Sequence, residues 1–200
     1  MYQKIILVFF IILTFSSCSK KEKISNIPSD ETQAIAIYKE AMEEMDNYEF
    51  YIASKKFSEA ESILPNVEWS AKAALMSSYC LYQTGFYDDT ILSLNRFIKT
   101  YPANENIDYA KYLIIMSLYD QIEDEKNDIT PLLKSREKIY VFLKEYPNTE
   151  YAIDLKFKLD LINNQLAAKE MYVAKFYIKV KKWIPAINRL KNIVENYDST

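Results

Sequence analysis

A spacing of small and apolar residues that occurs three times constrains the fold of this chain more than any other feature. Each set begins at a small residue and continues in steps of nine, three, four, three and five residues. A step of nine crosses from one helix over a short turn, and the threes and fours follow one face of the next helix. The sequence therefore predicts stacked helical hairpins. The three sets are Ala41, Phe50, Ala53, Phe57, Ala60 and Pro65; Ser78, Tyr87, Thr90, Leu94, Phe97 and Pro102; and Ala174, Trp183, Ala186, Leu190, Ile193 and Asp198.

Prolines separate the helical runs. Pro65, Pro102 and Pro147 each follow the end of a predicted helix, because a residue without an amide hydrogen stops a helix there. The last two follow a tyrosine, so Tyr-Pro is predicted to mark the boundary between hairpins. The alternative is an irregular helical bundle with chance spacing.

The segment from Glu150 to Lys182 contains no helix breaker. It predicts either one helix of about thirty residues or two helices joined by a bend near Ala167 and Ala168. Cys80 lies inside an apolar helical run, which favours a buried packing role over a reactive one.

Composition excludes several classes of function. The chain has one glycine and no histidine, which removes glycine-rich phosphate loops and the usual metal ligand and proton-transfer group. We therefore expect no cofactor and no metal. A net charge of −3 gives no general basic surface, so we expect no nucleic-acid partner. An enzyme that uses carboxylates is a remote alternative, because pairs such as Asp88 and Asp89 are adjacent and point different ways on a helix.

The N-terminus has the features of an export signal. An apolar run at 5–15 is too short to span a bilayer, and Ser16 and Ser17 directly precede Cys18. This arrangement resembles a bacterial lipobox, although Phe15 replaces the usual leucine. It predicts a signal peptide at 1–17, a lipid on Cys18 and a flexible tether at 18–30. The alternative is an ordinary cleaved signal followed by a chance cysteine.

The repeats resemble the tetratricopeptide repeat, with Gly85 at an inter-helix turn. The resemblance becomes closer in the segments RFIKTYP (96–102), NIDYA (106–110) and LAAKEMYVAKFYIKVKKWIPAINRLKNIVENY (166–197). Together with the cysteine at the signal's end, these resemble the BamD family, the outer-membrane lipoproteins of the β-barrel assembly machinery. The implied fold is an all-α, right-handed tetratricopeptide superhelix over 31–200, with about four hairpins. Its units are about 31–65, 68–102, 107–147 and 150–198.

The BamD resemblance implies a non-catalytic scaffold on the periplasmic face of the outer membrane, held there by its lipid. Its partners would be the Omp85-family barrel subunit, other assembly lipoproteins and unfolded outer-membrane protein precursors. Family members usually carry a fifth hairpin, which would begin where ENYDST ends the sequence. Another periplasmic tetratricopeptide lipoprotein, an adaptor for cell-envelope enzymes, is the alternative.

Two sets of residues follow as candidate sites. In tetratricopeptide repeats the first helix of each hairpin lines the concave side, and aromatic and sulfur side chains there favour a peptide-binding groove. The groove set is Tyr38, Met42, Met45, Leu75, Tyr79, Tyr82, Tyr109, Tyr112, Met116 and Tyr119. The tract 169–197 is rich in cations, and the family places partner contacts toward the C-terminal repeats. The partner-binding set is Lys175, Lys179, Lys182 and Arg189, with Arg189 the strongest candidate.

We predict that Cys18→Ser releases the protein from membranes or stalls its processing, because only the thiol of a lipobox cysteine accepts the diacylglyceryl group. Membrane fractionation and intact mass measure both effects. A mutant with unchanged mass and unchanged membrane association would contradict the lipobox prediction.

Overall fold

The computed structural model describes residues 30–121 and 128–197. The predicted signal peptide, Cys18, nearly all of the predicted tether and Asp198 lie outside the described residues.

The described residues form eight helices. They are α1 (Asp30–Asp46), α2 (Phe50–Ile63), α3 (Val67–Gln83), α4 (Tyr87–Thr100), α5 (Ile107–Asp120), α6 (Thr130–Glu145), α7 (Glu150–Lys179) and α8 (Trp183–Asn196). Each helix packs on the next one in the chain, and α3 also contacts α5. The predicted all-α class of stacked helical hairpins is confirmed. None of these eight helices is apolar over a length that would cross a bilayer.

The helix ends confirm the prediction that three prolines each follow the end of a helix. Helix α2 ends at Ile63, α4 at Thr100 and α6 at Glu145, each two residues before its proline. Helix α7 runs unbroken over 30 residues, so the first of the two alternatives for this segment is confirmed.

Three of the inter-helix turns share one backbone geometry. Tyr48, Gly85 and Lys181 have φ of 63°, 76° and 58°, and each lies two residues before the aromatic residue of its spacing set. The next amide reaches back five residues in every case, with Glu49 N donating to Glu44 O at 2.9 Å in the first turn. The sequence steps therefore repeat because the same turn is built three times.

Three clusters of buried side chains form the core, and each is shared between a hairpin and its neighbour. The first joins α1, α2 and α3, the second joins α3, α4 and α5, and the third joins α5, α6 and α7. Phe57, Leu94 and Phe97, all positions of the predicted spacing, are fully buried. The hairpins consequently interlock rather than fold as separate units.

Small residues allow α3 to lie between α2 and α4. Ala73 and Ala74 are fully buried, and the buried hydroxyls of α3 are all hydrogen-bonded. Ser77 donates to Ser54 O at 2.9 Å, and Ser78 shares a 2.7 Å hydrogen bond with Ser93. Cys80 is buried in the same helix, and burial raises the pKa of its thiol to about 12. The thiol therefore stays protonated and packs, as the sequence predicted.

The third hairpin repeats the last four of these steps, although the three spacing sets found in the sequence did not include it. Leu132, Ser135, Ile139 and Phe142 are separated by three, four and three residues, and Pro147 follows five residues later. All four side chains preceding the proline are buried in α6. In the fourth hairpin Ala186 is buried, but Trp183 is 59% exposed. The prediction that each aromatic fills a gap between hairpins is wrong for Trp183.

We predict that Leu94→Ala lowers the free energy of unfolding by about 2 to 5 kcal/mol, because it leaves a cavity in the second cluster. Leu92→Ala is a matched control, since this side chain lies on the same helix and is 71% exposed whereas Leu94 is 0% exposed. It should change the free energy by less than about 1 kcal/mol. Urea unfolding followed by circular dichroism measures both, and equal losses would contradict the assignment of the core.

Candidate functional site

The first helices of the hairpins place tyrosines side by side on one face of the array. Tyr109 and Tyr112 are three residues apart on α5, and Tyr151 lies at the start of α7. The ring centroids of Tyr112 and Tyr151 are 4.8 Å apart in a stacked arrangement, and Tyr109 lies 5.6 Å from Tyr151. Adjacent hairpins therefore bring their rings into one continuous aromatic surface.

Carboxylates of the next hairpin hold two of these tyrosine hydroxyls. Tyr82 on α3 donates to Asp120 Oδ2 on α5 at 2.5 Å, and Tyr112 on α5 donates to Asp154 Oδ2 on α7 at 3.0 Å. Burial, followed by these hydrogen bonds, raises the pKa of both tyrosines. Both hydroxyls therefore stay protonated at neutral pH, and at these two residues a ligand would meet ring faces rather than free hydroxyl groups.

A cation completes the far end of the tyrosine face. Lys158 Nζ lies 4.9 Å from the ring centroid of Tyr119 and 3.7 Å from Asp154 Oδ1. The lysine thus neutralises the carboxylate to which Tyr112 donates, and its charge rests on an aromatic ring. The same carboxylate links Tyr112, Lys158 and, through Lys158, Tyr119.

An apolar cavity of about 540 Å³ opens at the other end of the face, between α1 and α3. Tyr38, Met42 and Ile35 of α1 line it, together with Trp69 of α3. The Tyr38 and Trp69 rings meet edge to face at 5.9 Å, and Lys72 Nζ lies 5.2 Å from the Trp69 ring centroid. Trp69 remains 49% exposed, so the cavity offers a large apolar surface to a ligand.

The predicted groove residues divide into two groups. Leu75 and Met116 are only 8% exposed and belong to the packed interior, because a first helix is covered on two sides by neighbouring helices. We correct the groove set by removing these two residues. The others lie half-buried on the first helices: Tyr38, Met42, Met45, Tyr79, Tyr82, Tyr109, Tyr112 and Tyr119.

Sequence reasoning missed Trp69 and Tyr151. Trp69 lies six residues before Leu75, so extending the count by two further steps of three would have found it. Tyr151 follows the Thr149 N-cap of α7, whose hydroxyl accepts a hydrogen bond from Ala152 N at 3.3 Å. Its contribution to the face depends on the stacking of α7 on α5, which no local spacing reports.

The predicted partner-binding residues lie on α7 and α8 and on the turn between them. Lys175, Lys179 and Lys182 are exposed and form no ion pair with another described residue. Arg189 differs, because its Nη1 lies 3.1 Å from both carboxylate oxygens of Glu170 and so ties α8 to α7. Three cations of the set are thus free, and the fourth is already paired within the chain.

The described residues contain no cluster of three or more histidine, cysteine, aspartate or glutamate side chains that could hold a metal ion.

Residues 30–200 match the family model YfiO, which is described as an outer membrane lipoprotein. The chain belongs to this family. The YfiO match begins at the first described helix and includes all three repeat segments that carry the BamD resemblance.

Three relatives of this chain share one name. The chain is 33% identical over 188 residues to "Outer membrane protein assembly factor BamD" of Rickettsia prowazekii. This match covers 94% of the chain and 74% of the relative. The chain is 32% identical over 185 residues to the protein of that name in Caulobacter vibrioides, covering 92% of this chain and 61% of the relative. For the Neisseria gonorrhoeae protein of that name the identity is 26% over 211 residues, with 99% and 79% covered. The predicted membership of the BamD family is confirmed.

Proposed function

We propose that this protein is a non-catalytic scaffold of outer-membrane protein assembly. It binds an Omp85-type barrel subunit, works beside other assembly lipoproteins and receives unfolded outer-membrane protein precursors on the periplasmic face of the outer membrane. The observation that carries the proposal is the family match over residues 30–200, together with relatives named as assembly factors. Those names also support a role without catalysis.

The tyrosine face of the first helices is suited to an extended, aromatic-rich segment. It offers the ring faces of the tyrosines from Tyr79 to Tyr119. The hydroxyls of Tyr82 and Tyr112 already donate to carboxylates of the next hairpin, so stacking on the rings supplies the attraction. The cavity beside Trp69 can accept one large apolar side chain. A precursor segment of this kind, near the C-terminus of an unfolded barrel protein, would be sheltered from aggregation while it rests here.

The cations of α7 and α8 form the surface proposed for the barrel subunit. Lys175, Lys179 and Lys182 can meet carboxylates of a periplasmic domain without first breaking a contact within the chain. Arg189 must share or exchange its carboxylate partner, because Glu170 already holds it. Docking there would therefore alter the link between α7 and α8, while the lysines provide the long-range attraction.

We predict that Tyr79, Tyr112 and Tyr119 replaced together by Ala weaken binding of an aromatic precursor peptide about tenfold or more, because three stacking surfaces are lost. The matched Phe replacements keep the rings and should retain most of the affinity. Trp69→Ala tests the cavity alone with little effect on the core, since its side chain is half exposed. Fluorescence anisotropy measures affinity and circular dichroism checks the fold. Undiminished binding by the folded triple Ala variant and by Trp69→Ala would refute the groove.

We predict that Arg189→Glu reduces co-purification of the barrel subunit from detergent extracts about tenfold or more. The new carboxylate at position 189 would then repel the carboxylates of the subunit's periplasmic domain. The exchange of both partners, Arg189→Glu with Glu170→Arg, separates docking from folding. It restores an ion pair between α7 and α8 but reverses the charge that the subunit meets. We expect the thermal stability to recover in the exchanged variant while co-purification stays low.

Lys156→Glu serves as the control, because this exposed lysine lies on the first half of α7, away from α8. It should leave co-purification unchanged. If the exchanged variant recovers the barrel subunit fully, Arg189 has only a structural role. If the wild-type chain recovers cell-envelope enzymes and no barrel subunit, the assembly function itself is wrong.

A further inference from the structure

A second groove lies between the second helices of the first two hairpins. Helices α2 and α4 form its walls, and Leu81 of α3 lies between them. Its volume is about 930 Å³. None of its lining residues belongs to the tyrosine face or to the cation-rich surface of α7 and α8, so the functions proposed above leave it unexplained.

The groove exposes aromatic and aliphatic side chains at one end. Tyr51 of α2 is 51% exposed and Phe86, beside the start of α4, is 47% exposed, although their rings contact each other edge to face at 5.8 Å. Leu92 extends this surface along α4. Two half-exposed rings that already hold each other in place form an anchor site for an apolar side chain, since little conformational freedom is lost on binding.

Positive charge dominates the rest of the lining. Arg96 is bound to Glu61 by hydrogen bonds of 2.8 and 2.6 Å, and Tyr101 donates to the same carboxylate at 2.9 Å. Glu61 is therefore fully engaged and cannot neutralise another cation. Lys55 and Lys99 remain: neither forms an ion pair with any residue in the described ranges, and Lys55 Nζ lies 5.3 Å from the ring centroid of Tyr51. In a chain of net charge −3, two lysines without ion pairs in the same groove as an apolar anchor favour an anionic ligand.

The one carboxylate of the described lining lies away from Lys99. Asp89 is near the start of α4 and Lys99 is near its end, so about 15 Å of helix separates them. By the repeat spacing, Lys99 is level with Ser62 of α2, which lies seven residues beyond Lys55. The two lysines are thus about 10 Å apart along the groove, which equals about three residues of extended chain.

We propose that this groove binds an acidic, extended segment of a partner protein, with an aromatic or aliphatic side chain at the Tyr51–Phe86 anchor and two carboxylates about three residues apart. The α4 wall from Phe86 to Lys99 is about 20 Å long, which accommodates about six extended residues. This site is independent of the precursor groove on the first helices, and both can be occupied at once because the two sites share no lining residue.

The probe is the synthetic hexapeptide acetyl-Phe-Ser-Asp-Ser-Ser-Asp-amide, together with the same residues in reverse order, because an extended segment can lie in either direction. The full chain in detergent is labelled with ¹⁵N and titrated with each peptide to about 1 mM, where weak binding is still detected. We expect amide shifts concentrated at Ser58, Ser93 and Arg96 for one of the two peptides. Peptides with Asn in place of Asp should bind at least about fivefold more weakly.

Lys55→Glu combined with Lys99→Glu should weaken binding about tenfold or more. Lys144→Glu combined with Lys156→Glu changes the net charge equally, at exposed positions on α6 and α7, and should leave binding unchanged. Phe86→Ala should weaken binding of the peptide, but the dependence of the affinity on salt concentration should stay the same.

Three outcomes would overturn the proposal. The first is the absence of shifts in the groove with both peptides, and the second is equal affinity for the Asp and Asn peptides. The third is binding of anionic phospholipid vesicles, lost in the Lys55 and Lys99 variant, with no binding of either peptide, which would make the groove a membrane contact. Loss of this site leaves the affinity for the aromatic precursor peptide unchanged, so failure here is distinguishable from failure of the function proposed above.

Discussion

The close approach of α3 to its two neighbours is the interaction on which the rest of the structure depends. Alanines and serines on α3 allow α2 and α4 to reach it from opposite sides, and Ser77 and Ser78 satisfy their hydroxyls across those contacts. A larger side chain at either serine would separate the helices and dilate two core clusters together. Because each cluster joins one hairpin to the next, stability spreads along the array by contacts between neighbours.

The same stacking creates two different surfaces. First helices bring tyrosines together and bind their hydroxyls to the carboxylates of the following hairpin, as Tyr82 does with Asp120. Second helices α2 and α4 are separated by a groove in which lysines stay unpaired. One side is therefore aromatic, with the hydroxyls of Tyr82 and Tyr112 engaged by carboxylates, and the other joins an apolar anchor to two lysines that form no ion pair with another described residue. A scaffold of this shape can hold two chemically distinct segments without competition between them.

Sequence reasoning predicted the repeating elements well because helix turns and buried positions are local properties. Phe57 and Leu94 are buried where the spacing required, and α7 is as long as the absence of breakers indicated. It could not assign sides within a first helix, because spacing at three and four marks both the buried flanks and the open face. Leu75 was therefore placed in the groove although it packs in the core. The pairing of Arg189 with Glu170 was also out of reach, because it depends on how α8 folds back on α7.

The shared turn geometry has a consequence for how the array moves. A left-handed backbone costs a residue with a side chain about 1 kcal/mol or more, and glycine adopts it freely. The first hairpin places Tyr48 there and the fourth places Lys181, whereas the second uses the only glycine of the chain. Opening either outer turn releases that strain, and opening the turn at Gly85 releases none. Local breathing is therefore easier at the turns of the first and fourth hairpins than at the turn of the second, so these two hairpins can adjust to what they bind.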